Sequence, residues 1–169
     1  MTRIVTLDTE TTGISHRMGD RVIEIGAVEV VDGRVTDRQF HTYLQPNRPI
    51  HWAAQRVHGI SDAMLAGKPL FTHKAAELLD FVRGAEVIAH NATFDTGFLD
   101  NELRLSGHAT TLAQHCRITC SLRLARARWP GLPNKLDDLL QRLRIPHRRD
   151  LHGALLDAQL LAQVVPHLR

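Results

Sequence analysis

Residues 22–44 read VIEIGAVEVVDGRVTDRQFHTYL, and this stretch decides the fold. Val22–Val31 is dense in β-branched residues, which are stiff at χ1 and pack well on a pleated surface. Asp32-Gly33 follows, a pair suited to the positive φ angles of a tight hairpin turn. Val35–Leu44 continues as a second strand. Upstream, Ile4–Asp8 is a short β-branched run stopped by polar residues, which makes a third strand. Downstream, Asn47-Arg48-Pro49 breaks the pattern, and 52–66 reads as short helices with Ser61 as a candidate cap. Phe71–Val82 reads as an amphipathic helix and Glu86–Ala89 as a short buried strand. Thr93–Ser106 places Phe94, Phe98 and Leu105 on one helical face. Residues 114–118 read as a strand. Ser121–Trp129 is a helix ended by Pro130-Gly131, Lys135–Leu143 a helix ended by Ile145-Pro146, and Gly153–His167 a long apolar helix. Three meandering strands followed by alternating helices and strands predict a mixed sheet flanked by helices, one α/β domain over residues 1–169.

Three acidic segments fall at strand ends and helix starts. Asp8-Thr9-Glu10 closes the first strand. Residues at i and i+2 on a strand share a side, so two carboxylates stand together there. Like charges at that separation repel unless a cation neutralises them, and hard cations such as Mg²⁺ favour carboxylate oxygens. The bland alternative is a solvated turn in which Asp and Thr cap backbone groups. His90-Asn91-Ala92-Thr93-Phe94-Asp95 follows the short strand and opens a helix, with Asn91 or Thr93 as its cap. Asp95 in the first turn is either favoured there by the helix dipole or a further metal ligand. His90 reads as structural. His152-Gly153-Ala154-Leu155-Leu156-Asp157 opens the last helix. There Asp157 interrupts an apolar run, and a buried carboxylate is costly unless paired or metal-bound. On one regular helix His152 and Asp157 would point about 140° apart. With His152 in the lead-in loop, both can face one site.

Composition narrows the field. The chain has 169 residues, 43% hydrophobic and 23% charged, which excludes a disordered tail. A domain of this size buries about 70% of its unfolded surface and needs no disulfide or structural metal. Only 5% of residues are aromatic, so a stacking surface rich in Phe and Tyr is not expected. The two cysteines, Cys116 and Cys120, lie four apart, neither a CxxC pair nor a disulfide framework, and read as inert thiols in a reducing cytoplasm. Met1-Thr2-Arg3 leads directly into the first strand, with no secretory leader pattern. No P-loop, GxSxG elbow or HExxH zinc motif is present. The net charge is +3, but residues 117–149 hold nine Lys+Arg against two acids, and 1–116 hold eleven against fourteen. The basic stretch, Arg148 and Arg149 included, is either a phosphate-guiding groove or a solvated helical surface.

DTETTG at 8–13, HNATFD at 90–95 and HGALLDA at 152–158 resemble the three motifs of the DEDDh class of DnaQ-like exonucleases. VIEIGAVEVV at 22–31, VHGIS at 57–61 and RGAEVIAHN at 83–91 extend the likeness to the proofreading epsilon subunits of bacterial DNA polymerase III. It runs from about residue 4 to 165. The resemblance implies a ribonuclease H-like fold, a five-stranded mixed sheet with helices on both sides. It implies two Mg²⁺ or Mn²⁺ ions held by Asp8, Glu10, Asp95 and Asp157, with His152 as general base. It places Thr11, Ile14, Val57, His58, Asn91 and Phe94 around a 3′-terminal nucleotide. The implied reaction is 3′→5′ hydrolysis of single-stranded or frayed DNA to nucleoside 5′-monophosphates. Exoribonucleases of the same class and a silent nucleic-acid-binding or scaffold module are the alternatives.

Two departures from the family stand out. Relatives often carry Asp before the helix at 121, where this chain has Cys120, so that cap is expected to be weak. Epsilon subunits also carry a C-terminal extension that tethers them to the polymerase. This chain ends at Arg169, so a polymerase III catalytic subunit is expected as a partner only without that tether. No membrane partner is expected, since no apolar run approaches spanning length.

Overall fold

A computed structural model describes residues 1–169. The first three strands, β1 (Arg3–Thr11), β2 (Val22–Val31) and β3 (Arg34–Tyr43), pair as an antiparallel meander. Asp32 and Gly33 both take positive φ, 48° and 79°, in the hairpin turn their types favour. β4 (Glu86–Ala89) adds parallel to β1, and β5 (Arg117–Cys120) parallel to β4. The strand order is β3-β2-β1-β4-β5, a five-stranded mixed sheet with β1 at its centre.

Alternation along the strands feeds a core on each face. Val87 and Ile88 are neighbours on β4, yet Val87 packs with Val5, Leu7, Phe40 and Phe98, while Ile88 packs with Leu139, Leu161 and Val164. The first face is covered by α2 (Ala75–Val82) and α3 (Ala92–Leu105). The second is covered by α4 (Ser121–Arg128), α5 (Leu136–Arg142) and α6 (Ala154–Val164). α1 (Trp52–His58) stands at the sheet end. No helix is long and apolar enough to cross a membrane.

Gly26 lets α6 lie close against the sheet. A Cβ at that position would sit 2.3 Å from the Leu155 backbone nitrogen and 2.4 Å from the Ala154 carbonyl carbon. The Thr6 hydroxyl donates to the Ala158 carbonyl oxygen at 2.8 Å and holds the helix over β1.

Several boundaries differ from the sequence reading. β1 continues past Asp8 to Thr11, because its polar end pairs with β2 (Glu10 opposite Glu24) with a register shift after Glu10. The strand expected at 114–118 lies at Arg117–Cys120, and Leu112–Gln114 is instead a 3₁₀ turn with a Thr111–Gln114 capping box. Residues 71–73 form a separate 3₁₀ turn before α2. The last helix changes to 3₁₀ at Val165, where Pro166 has no backbone N–H to continue it.

Candidate active site

The end of β1 receives acids from both faces of the sheet. Asp8 and Glu10 lie on the face that Thr6 shares with α6. Thr9 points the other way, toward α3. Its backbone N–H and hydroxyl donate to one oxygen, Asp95 Oδ1, at 3.1 and 2.7 Å. Asp95 stands in the first turn of α3, just beyond the β4 terminus, and β4 is the parallel neighbour of β1. Parallel pairing therefore brings 8–10 and 95 to one end of the sheet, the carboxyl ends of β1 and β4, where open α/β sheets bind ligands.

Asp157 arrives from α6. The helix begins at Ala154, so His152 lies outside it, and the His152 N–H donates to the Val57 carbonyl at 2.9 Å. This is the loop placement that lets both residues face one site. Ligand atoms of Glu10, His152 and Asp157 lie within 4.8 Å of one another. Buried Glu24 on β2 accepts the Ala154 N–H at 2.9 Å, which pins the start of α6.

The electrostatics match that crowding. Burial and the neighbouring Asp95, Glu10 and Asp157 raise the Asp8 carboxyl well above its ordinary range. Burial, with Asp157 and Glu24, pushes Glu10 up to about 8. Burial raises Asp95 to about 7 against the two Thr9 hydrogen bonds. His152 is lowered, first by burial and then by Arg149. Asp8, Glu10 and Asp95, all raised, beside Asp157 and an imidazole of lowered proton affinity, are a donor set suited to hard divalent cations.

Arg149 corrects the surface reading of the basic stretch. Its side chain is only 7% exposed. Nε and Nη2 bind the two Asp157 oxygens at 2.7 and 2.8 Å, and Nη1 reaches Asp137 at 2.7 Å. Nothing in the charge run distinguishes it from exposed Arg148. Other cations of that stretch are also occupied within the fold: Arg142 binds Asn134 and Pro133 and lies over Trp129, and Arg117 pairs with Glu86.

Five of the six residues assigned to the terminal nucleotide line one cavity of about 490 Å³: Thr11, Ile14, Val57, His58 and Phe94. Glu10 lies on its wall. His58 also braces it. Its Nδ1 accepts from Ile60 N–H at 3.0 Å, and its Nε2 meets the Thr11 carbonyl at 3.1 Å. Asn91 lies instead on an adjoining cavity of about 600 Å³, shared with Asp8, Arg126, Lys135 and His152. Asn91, rather than Thr93, occupies the N-cap position of α3, with φ 69° and no side-chain cap bond. Both ring nitrogens of His90 are engaged, by Ser121 Oγ at 2.9 Å and the Asn134 carbonyl at 2.7 Å, as a structural residue requires. Cys120 makes no cap bond to α4, but its Sγ receives the Ala92 N–H at 3.4 Å.

With this geometry in place, the sequence model of one family, described as Exonuclease (RNase_T), matches residues 5–165. The chain belongs to the RNase_T exonuclease family. Among curated members, the DNA polymerase III subunit epsilon of Pasteurella multocida is 47% identical over 168 residues, covering 96% of this chain and 66% of that protein. The subunit of Escherichia coli K12 is 48% identical over 170 residues, covering 97% and 70%. The chain thus spans about two thirds of the length of these relatives. Exonuclease X, solved with 5′-overhanging duplex DNA, superposes with TM-score 0.70 at 25% identity, covering 98% of this chain and 90% of that one. Exonuclease I superposes at 0.83 with 21% identity, covering 99% and 42%, which speaks to the fold. The ribonuclease H-like expectation agrees with these exonuclease neighbours.

Proposed function

We propose that residues 1–169 form one exonuclease domain that removes nucleotides from single-stranded or frayed DNA 3′ ends, proofreading-type. The observation that supports this reading is that ligand atoms of Glu10, His152 and Asp157 lie within 4.8 Å of one another, with Asp95 tied to Thr9 beside them and Glu10 on the wall of a nucleotide-sized cavity. Clefts of about 300–1,000 Å³ are the usual size for such ligands.

Asp8, Glu10, Asp95 and Asp157 would hold two divalent ions, Mg²⁺ or Mn²⁺. When bound, such ions polarise the phosphate and make water more acidic. Every other part is played by the chain. His152, kept neutral by burial, accepts the proton of the attacking water. The water oxygen bonds to phosphorus, the P–O3′ bond breaks, the O3′ of the shortened strand takes up a proton from solvent, and the released nucleotide carries the 5′-phosphate. Phe94, Val57 and Ile14 offer apolar contact to the terminal base and sugar. His58 holds α1 to the end of β1 and keeps the cavity shaped. The 47–48% identity to epsilon subunits supports a polymerase III catalytic subunit as partner.

The test uses DNA and RNA strands of one sequence, 5′-labelled, with Mg²⁺ or Mn²⁺. A ladder on DNA with nucleoside 5′-monophosphate release is the expected outcome. A ladder on RNA alone would move the chain to the exoribonuclease branch, and no ladder on either would leave a silent binding module.

A further inference from the structure

Arg149 occupies both oxygens of Asp157 through a two-bond fork, in a site where its side chain is 7% exposed and that of Asp157 6%. This guanidinium is the cation nearest the clustered acids. It also has a second attachment. Nη1 lies 2.7 Å from Asp137 on α5, whose side chain is 56% exposed. Arg149 comes from the segment between α5 and α6, outside either helix, so it can shift without moving the sheet.

We propose that Arg149 is a built-in counter-ion that competes with divalent metal for Asp157 and is handed to Asp137 when metal binds. The inference rests on the metal-site reading above. A carboxylate saturated by a bidentate guanidinium is a poor ligand for a second cation, because the two positive charges would share one small, partly desolvated space. Without such a counter-ion, the clustered acids would repel one another in the metal-free fold. Arg149 offsets that repulsion, because its guanidinium lies 2.7 and 2.8 Å from the two oxygens of Asp157, whose ligand atoms stand within 4.8 Å of those of Glu10. Asp137 keeps the displaced guanidinium close to the site, on the wall of the cavity shared by Arg126 and Lys135. From there it can face the phosphate of a bound strand. Metal affinity is thereby set low in the free protein and rises when a substrate phosphate supplies Arg149 with another partner.

The experiment is direct Mn²⁺ titration by calorimetry and by electron paramagnetic resonance, without nucleic acid, on the wild-type chain, Arg149→Gln and Asp137→Asn. Thermal unfolding is followed in parallel. Arg149→Gln should bind Mn²⁺ at least about tenfold more tightly. Its Tm should fall without metal and recover with saturating Mn²⁺, so that its metal-induced Tm shift exceeds the wild-type shift. Asp137→Asn alters an exposed side chain. It should weaken Mn²⁺ binding several-fold, because Arg149 loses its second partner. That variant keeps the test decisive if Arg149→Gln folds poorly. Unchanged Mn²⁺ affinity in either folded variant, with the wild type binding normally, overturns the counter-ion role and leaves the metal site standing. Absence of Mn²⁺ binding in the wild type overturns both.

Discussion

Thr9 binds Asp95 twice, through its backbone N–H at 3.1 Å and its hydroxyl at 2.7 Å, and both bonds end on Oδ1. The two bonds fasten the Asp95 carboxylate to the end of β1, between Asp8 and Glu10 in the chain. A side chain pointing away from the site thus orients a carboxylate within it. Partners that orient a ligand typically account for about 10–100-fold in metal affinity or activity. Thr9→Val should lower metal-dependent exonuclease activity by about that factor, whereas Thr9→Ser should stay near wild type. Equal rates for Val and Ser would show that the hydroxyl does not position Asp95.

Gly26 governs the other side of the site. Because its absent Cβ would fall on backbone atoms of residues 154 and 155, Gly26→Ala must push the first turn of α6 outward. That turn carries Asp157 and follows His152. Overpacking of this kind costs about 1–3 kcal/mol, and a displacement near 1 Å at reacting groups costs about 10²-fold in rate. Chemical denaturation and single-turnover rates check both numbers. Full activity in a destabilised Gly26→Ala would mean that the position of α6 is not critical.

His152 gives a pH signature. As a base its neutral form is the working form. Burial lowers its proton affinity below the ordinary 6.5, so the rate should be flat through neutrality and fall only on the acid side of that value. His152→Ala should lose about 10²–10⁴ in rate, the usual contribution of a general base, and should also lose that acid limb. A loss below tenfold, with the limb intact, would assign the proton to solvent.

The acids predict an unusual stability profile for the metal-free protein. Glu10 is raised from 4.5 to about 8 and Asp95 from 3.8 to about 7, so the fold holds protons that the unfolded chain releases. Groups raised in this way contribute stability that is complete below their unfolded values and is lost as pH climbs through the folded ones. Tm relative to Glu10→Gln should therefore decline between about pH 5 and 8.5, by at least ~3 °C. Saturating Mn²⁺ should remove the decline. A pH-independent Tm difference would contradict the raised Glu10.

Much of this was legible in the chain itself. β-branched density and Asp32-Gly33 specify the meander, and an acid inside the apolar run at 157 marks a site whatever the fold. The register at the end of β1 was less legible, because the shift between Glu10 and Thr11 arises only through pairing with β2. Gly26 within a strand is the kind of signal that marks close backbone approach, but the partner 129 residues away is visible only in three dimensions. Arg149 had no local signal, since its role depends on α5 and α6 converging around it.

Asp8, Glu10, Asp95 and Asp157 are proposed to form one cation-dependent hydrolytic centre. The most direct test is Mn²⁺-dependent digestion of 5′-labelled single-stranded DNA by the wild-type chain, Asp8→Ala and Asp157→Ala, with folding verified for each. A ladder of 3′-shortened products from the wild type, lost in both variants and in the presence of a chelator, is the predicted result. Full metal-dependent activity in either variant would contradict it.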